Sequence, residues 1–246
     1  MSTYNKYVYI DSIAMKFKLS LKKKCLEQNR LLSKKNLIIH NFGNVSLRLD
    51  KNYFIIKPSG INLKTVKASE FPVVNIKTNK VVEGKLKPSS DTPTHLEIYK
   101  KYPKLKSITH THSPYAITWA QSGKAIPLIG TTHADYWSDE VPIAGFLSLK
   151  ELNKGYEKNT GNLILRTLKK KKLNPYQCPG ILVSGHGPFT WGTEIDSSVI
   201  NAEILEFIAK TTFNSFLIKI KKKLPKYISR KHFKRKHGNN SYYGQN

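Results

Sequence analysis

At 246 residues the chain has room for one large domain, and its 39% hydrophobic and 11% aromatic content excludes disorder over most of its length. No stretch approaches the roughly 18 uncharged apolar residues of a membrane span, and residues 1–19 lack the apolar block of a secretory signal, so a soluble, cytoplasmic protein is expected. The net charge of +26 points first to nucleic acid, but it is carried by 37 lysines against 5 arginines, and arginine is the residue suited to bidentate phosphate and base recognition. The excess is read as compositional, with no specific nucleic-acid partner. Cys25 and Cys178 are expected as reduced, buried thiols.

In chain order, residues 1–18 read as a flexible extension and residues 19–246 as the domain, ending in a basic, tyrosine-containing segment. Leu21, Cys25, Leu26, Leu31 and Leu32 fall near helical spacing and predict a helix over Leu19–Ser33. Four short β-branched or aromatic runs follow, Leu37–His40, Val45–Leu49, Tyr53–Lys57 and Val73–Ile76, separated by turn residues and expected to pair as strands. Thr92-Pro93 opens a helix to Tyr102, Ser107–His112 is a strand, and Pro114–Ser122 is a helix begun by proline. Helices are also expected over Ser148–Asn159 and Gly161–Lys172, a strand over Gly180–Ser184, and a long amphipathic helix over Ile195–Lys219. By composition alone, the tail from Lys221 is disordered and basic.

The chemistry concentrates at a few points. In Thr109-His110-Thr111-His112, strand alternation places both imidazoles on one face, where they can share an ion. Zinc sites that work catalytically usually have three protein ligands, and His186 offers a third from Ser184-Gly185-His186-Gly187. The plainer reading of a His-x-His pair is polar packing. Asp91, just ahead of a helix, either caps it or reaches a neighbouring metal, while Ser89, Ser90 and the helix N-terminus make an anion site. Lys57-Pro58-Ser59-Gly60 and Gly43-Asn44 are two more loops of that type, and three together suggest a phosphorylated substrate. No dinucleotide fingerprint, P-loop or Gly-x-Ser-x-Gly elbow is present. His40, His95 and His237 default to structural or surface roles, and spacing alone leaves Asp135 a loop residue.

Taken together, Phe42-Gly43-Asn44-Val45-Ser46, Lys57-Pro58-Ser59-Gly60, Lys87–His95, His110-Thr111-His112-Ser113, Gly130–Tyr136, Ser184–Phe189, Lys231-His232, Arg235–Gly238 and Tyr242–Gln245 resemble the class II aldolase family, and within it the L-ribulose-5-phosphate 4-epimerase branch. The likeness spans about residues 20–245 with its motifs in order. It implies an α/β fold, a three-layer α/β/α single domain with a largely antiparallel central sheet, assembled as a homotetramer with active sites between subunits. It also implies zinc or another divalent cation, one per subunit, on His110, His112 and His186, with Asp91 as a nearby carboxylate; aldolases of the family carry Glu there, so Asp favours the epimerases. Gly43, Asn44, Lys57, Ser59, Gly60, Ser89 and Ser90 match the substrate and phosphate loops, Asp135 and Tyr243 the acid/base pair, and His232 and Arg235 could meet the phosphate.

The implied reaction accounts for that inventory. The hydrogen on C4 of a 2-ketopentose phosphate is not adjacent to the carbonyl, so inversion there requires oxidation or carbon–carbon cleavage. Without a nicotinamide fingerprint, retro-aldol cleavage of C3–C4 and re-addition to the other aldehyde face is the consistent route, and it calls for two proton donors. The expected activity is interconversion of L-ribulose 5-phosphate and D-xylulose 5-phosphate in pentose catabolism, feeding arabinose- or ascorbate-derived carbon toward the pentose phosphate pathway. Competing expectations are a sister sugar-phosphate aldolase and a non-catalytic binding protein on the same fold.

Overall fold

The computed structural model describes residues 3–219, 224–238 and 241–243, with side chains from residue 18 onward. Helix α1 (Thr3–Lys34) leads into strands β1 (Asn44–Arg48), β2 (Tyr53–Ile56), β3 (Val73–Asn75) and β4 (Val81–Glu83). Helix α2 (Thr92–Lys101), β5 (Ser107–His110), α3 (Pro114–Gln121), the single turn α4 (Thr131–Ala134) and β6 (Ile143–Ala144) follow. The chain continues through α5 (Leu149–Asn153), α6 (Tyr156–Lys170), β7 (Gly180–Val183), β8 (Gly187–Gly192), α7 (Ser197–Leu217) and α8 (Lys226–His237). The strands form one sheet in the order β4-β3-β2-β1-β5-β8-β7-β6, antiparallel at every pairing except β6 with β7.

Helices cover both sheet faces, so β1 and β5 at its centre are buried on both sides although their sequences alternate, with Ser46, Arg48, Ser107 and Thr109 buried like the aliphatic residues between them. Val45, Leu47, Ile55 and Val73 pack with Leu21, Cys25 and Leu32 of α1, whereas Phe54, Ile56, Val74 and Ile108 pack with Leu96 and Ile98 of α2 and Leu163 and Ile164 of α6. Helix α7 joins both cores, with Val199 and Ala202 on the α1 side and Leu205 and Ile208 on the other. Each such aliphatic side chain contributes about 1.5–3 kcal/mol of burial. The result is the expected three-layer α/β/α arrangement around a mostly antiparallel sheet. Cys25 and Cys178 are free and buried.

Several element expectations are corrected. Leu37–His40 is a turn, with Asn36 and His40 in left-handed conformations at φ 55° and 50°. Ser107–His112 stops being a strand at His110. The helix expected over Ser148–Asn159 is two: Ser148 and Glu151 form a capping box that starts α5, and Gly155 then breaks the chain before α6. Gly161 does not begin a helix but lies inside α6, where a β-carbon would stand 3.0 Å from the Thr94 carbonyl oxygen of α2. Strand β8 escapes sequence reading because its Gly-Pro start looks like a loop. The tail, disordered by composition, forms α8 over Lys226–His237. The expected extension, residues 1–18, overlaps α1, which runs from Thr3.

Candidate active site

Strand β5 ends at His110, whose ring stacks on Phe189 of the adjacent β8 with centroids 4.3 Å apart. Its Nδ1 lies 3.0 Å from the Pro188 carbonyl oxygen. A carbonyl only accepts, so Nδ1 carries the proton and the lone pair sits on Nε2. That Nε2 is 3.0 Å from Nε2 of His112. His186, in the turn between β7 and β8, brings its ring centroid to 4.5 Å from His110 and 5.7 Å from His112. The three residues offer ligand atoms that all lie within 4.8 Å of one another, a group that could hold a metal ion.

The donor set fits a divalent cation on two counts. Two nitrogens each about 2.05 Å from one ion at a tetrahedral angle stand roughly 3.3 Å apart, close to the His110–His112 spacing. All three imidazoles are also held below their ordinary titration range, first by burial and then, for His110, by His186 and His112, so they present the neutral, ligating form. Asp91 opposes the shift at His112 and His186.

Around this group runs a cleft of about 560 Å³ lined by Gly43, Asn44, Lys57, Ser59, Gly60, Ser89, Ser90 and Asp91 together with the three histidines. Every residue expected in the substrate loops is thus gathered in one place. The two Lys-Pro-Ser loops are zipped together: Ser59 N–H donates to the Lys87 carbonyl at 2.9 Å and Ser89 N–H to the Lys57 carbonyl at 2.9 Å. Lys57 is buried, donates from Nζ to the Asn41 carbonyl at 2.6 Å, and has its ammonium pushed down to about 8 by that burial, with Asp91 opposing. Asp91 stands at the N-terminus of α2 but its side chain caps no backbone N–H. It accepts instead from Asn44 Nδ2 at 2.6 Å, which leaves the buried Asn44 Oδ1 without a partner among the described residues. Asp91 lies outside the three-histidine ligand group.

A second cluster forms where α8 packs on α4. Asp135 accepts from Arg235 through Nε at 3.1 Å and Nη2 at 3.0 Å, and from His232 Nδ1 at 3.1 Å. His237 donates from Nε2 to the Asp135 carbonyl at 2.8 Å. The Arg235 guanidinium lies 4.4 Å over the Tyr243 ring, which is half exposed. None of Asp135, His232, Arg235 and Tyr243 lines the histidine cleft of the same chain, and within the chain His232 and Arg235 engage Asp135 rather than the phosphate loops. Sequence reasoning missed His40, Asn41, Phe42, Tyr156 and Glu157 as cleft lining. For Tyr156 and Glu157 the only available signal was Gly155 just before them, which was absorbed into a longer helix.

The chain is thus an α/β protein with a mostly antiparallel sheet between helices, carrying three converging histidines that could hold a metal ion beside paired serine loops. The chain belongs to the Class II Aldolase and Adducin N-terminal domain family, whose model matches residues 23–213. Among solved structures it is similar to an L-fuculose 1-phosphate aldolase, with a TM-score of 0.71, 21% identity, and coverage of 87% of this chain and 94% of that one. It is also similar to YgbL from Klebsiella pneumoniae, whose description leaves aldolase, epimerase and decarboxylase open, with a TM-score of 0.70, 20% identity, and coverage of 87% and 98%. A sugar-phosphate aldolase from Thermotoga maritima matches with a TM-score of 0.64, 18% identity, and coverage of 82% and 97%. At these identities the likeness shows the fold. No helix among the described residues is long and apolar enough to cross a membrane.

Proposed function

We propose that the protein is a zinc-dependent L-ribulose-5-phosphate 4-epimerase of the cytoplasm, acting as a homotetramer with active sites between subunits. The observation that carries this reading is the meeting of His110, His112 and His186 with the serine loops and Asp91 in one cleft. A divalent ion on the three imidazoles supplies a Lewis acid for negative charge developing on the substrate's oxygens. Ser59, Ser89 and Ser90 bind the phosphate through their hydroxyls and Gly43 and Gly60 through backbone N–H groups, helped by the Lys57 ammonium. The orphaned Asn44 Oδ1 accepts from a sugar hydroxyl, and Asp91, held by Asn44, stands beside the imidazoles as a further ligand or proton acceptor.

Asp135 and Tyr243 reach this cleft from a neighbouring subunit, one facing each side of the aldehyde. One takes the C4 hydroxyl proton as the C3–C4 bond breaks, its electron pair staying with the enediolate fragment. The glycolaldehyde phosphate then turns, the bond re-forms on its other face, and the second residue returns a proton. His232 and Arg235 hold the Asp135 carboxylate in place, and either can meet the phosphate as the subunits close. Asp in place of the aldolases' Glu at position 91 supports the epimerase. A second reading, a sister sugar-phosphate aldolase, draws on the names of the structural neighbours.

The deciding measurement is a coupled assay for conversion of L-ribulose 5-phosphate to D-xylulose 5-phosphate. Activity should vanish with chelator and return with zinc. Stable release of free aldehyde without the epimer would select the aldolase, and absence of bound metal would sink both enzymatic readings. Tyr243→Phe should slow turnover at least tenfold with metal content intact; unchanged turnover would remove Tyr243 from its role.

A further inference from the structure

The first turn of α6 is a stretch of cleft wall that no sequence motif claims, yet it is held firmly in place. Gly155, at φ 117°, takes a left-handed turn that an L-residue rarely adopts, and this lets the chain re-aim before Tyr156. Thr94 Oγ1 donates to the Glu157 carbonyl at 2.6 Å, tying the start of α6 to the first turn of α2, whose N-terminus carries Asp91. Gly161 allows the same two helices to touch backbone to side chain one turn further on. The device fixes Tyr156 at the mouth of the cleft, its ring 5.8 Å from that of His186 and its hydroxyl 3.3 Å from His186 Nδ1.

The three imidazoles differ in what sets their tautomer. His110 is settled by a backbone carbonyl, but Nδ1 of His186 meets a side-chain hydroxyl. A neutral imidazole has one donor and one acceptor nitrogen, so the partner of one decides what the other can do. We propose that Tyr156 is the positioning residue for His186: its hydroxyl oxygen accepts the Nδ1 proton, leaving Nε2 as the lone-pair nitrogen available to a metal. This inference rests on the three-histidine reading of the cleft. Tyr156 touches no reacting atom in this account; it acts through His186.

The test is Tyr156→Phe, which deletes one oxygen and keeps the ring. Affinity for Zn²⁺ alone is measured by competition with a chromophoric chelator, alongside the visible absorption bands of the Co²⁺-loaded protein and the thermal midpoint of the metal-free chain. Loss of a partner hydrogen-bonded to a ligand typically weakens metal binding about 10–100-fold. The expected result is a loss of at least about tenfold in Zn²⁺ affinity with shifted Co²⁺ bands and an unchanged metal-free midpoint. Affinity within about twofold of wild type, or a lowered metal-free midpoint that accounts for the loss, overturns the proposal while leaving the metal centre standing. If the wild-type chain binds no Zn²⁺, the three-histidine reading falls and this inference with it, whereas His186→Ala should abolish binding in either variant.

Discussion

Gly43 illustrates how one residue of the cleft lining also shapes the site through its backbone. Its φ of 100° lies in the left-handed region, and an added β-carbon would sit 2.5 Å from Ile38 Cγ2 and 2.8 Å from the carbonyl oxygen of His110. Gly43→Ala must therefore push on the backbone of a metal-ligand candidate as well as adopt a conformation costing roughly 1–2 kcal/mol. We expect turnover to fall at least about tenfold and the thermal midpoint to drop by several degrees; wild-type values for both would show that the Ile38 turn yields freely. The sequence marked Gly43 as a turn residue, but its close approach to His110 arises from β1 pairing with β5, a contact between distant segments. His110 and His112 were legible as a pair, although for a reason that only half holds: the strand ends at His110, and His112 joins the group from beyond it.

Elements carry the next layer of control. Helix α8 is strongly basic, makes no apolar core of its own, and is held to α4 largely through the Asp135 carboxylate and carbonyl. Asp135→Asn removes the negative charge that Arg235 and His232 share. Hydrogen–deuterium exchange over Lys226–His237 should accelerate in this variant, by at least about fivefold, with Zn²⁺ affinity at the histidine cleft unchanged. Unaltered exchange would mean that the contact of Lys236 with the Tyr136 ring and the His237 bond to the Asp135 carbonyl suffice to seat the helix. Composition could not foresee α8, because a segment rich in Lys and Arg looks solvated until its one acidic partner is known. The same blindness hid β8, whose six residues are all buried in the middle of the sheet. Glycine and proline at its start read as punctuation, but that start pairs with β7 across a tight turn.

For the molecule as a whole, acid stability follows from buried imidazoles. His95 is pushed down to about 3 and His133 to about 4, in both cases first by burial. The unfolded chain takes up protons on both near pH 6.5, and the native chain does not until far lower. The unfolded state thus binds more protons between pH 6.5 and about 4, so stability falls as pH drops through that window, by about 1.4 kcal/mol per pH unit for each such histidine. Urea unfolding at pH 7 and 5 should show His133→Leu losing less stability on acidification than the parent, and an identical loss would contradict the burial argument. Assembly is tested by mixing. If cleft and acid/base pair come from different subunits, co-refolded His110→Ala and Asp135→Asn chains, each inactive alone, should recover roughly a quarter of wild-type activity by random assortment, and no recovery would remove Asp135 from its assigned role at a neighbouring cleft.

The sequence by itself determined the paired histidines of Thr109–His112, the turn loops and most of the helices, because imidazole spacing, turn residues and hydrophobic periodicity are local properties written in consecutive residues; the layered fold class was legible only through the family resemblance that the motifs carry together. Tertiary structure alone decided that the first turn of α6 belongs to the cleft, that Asn44 holds Asp91, and that Asp135 is clamped by α8. These pairings join segments far apart in the chain, and nothing in either partner's neighbourhood encodes the other; they exist only once sheet order and helix packing bring the two surfaces within hydrogen-bonding distance.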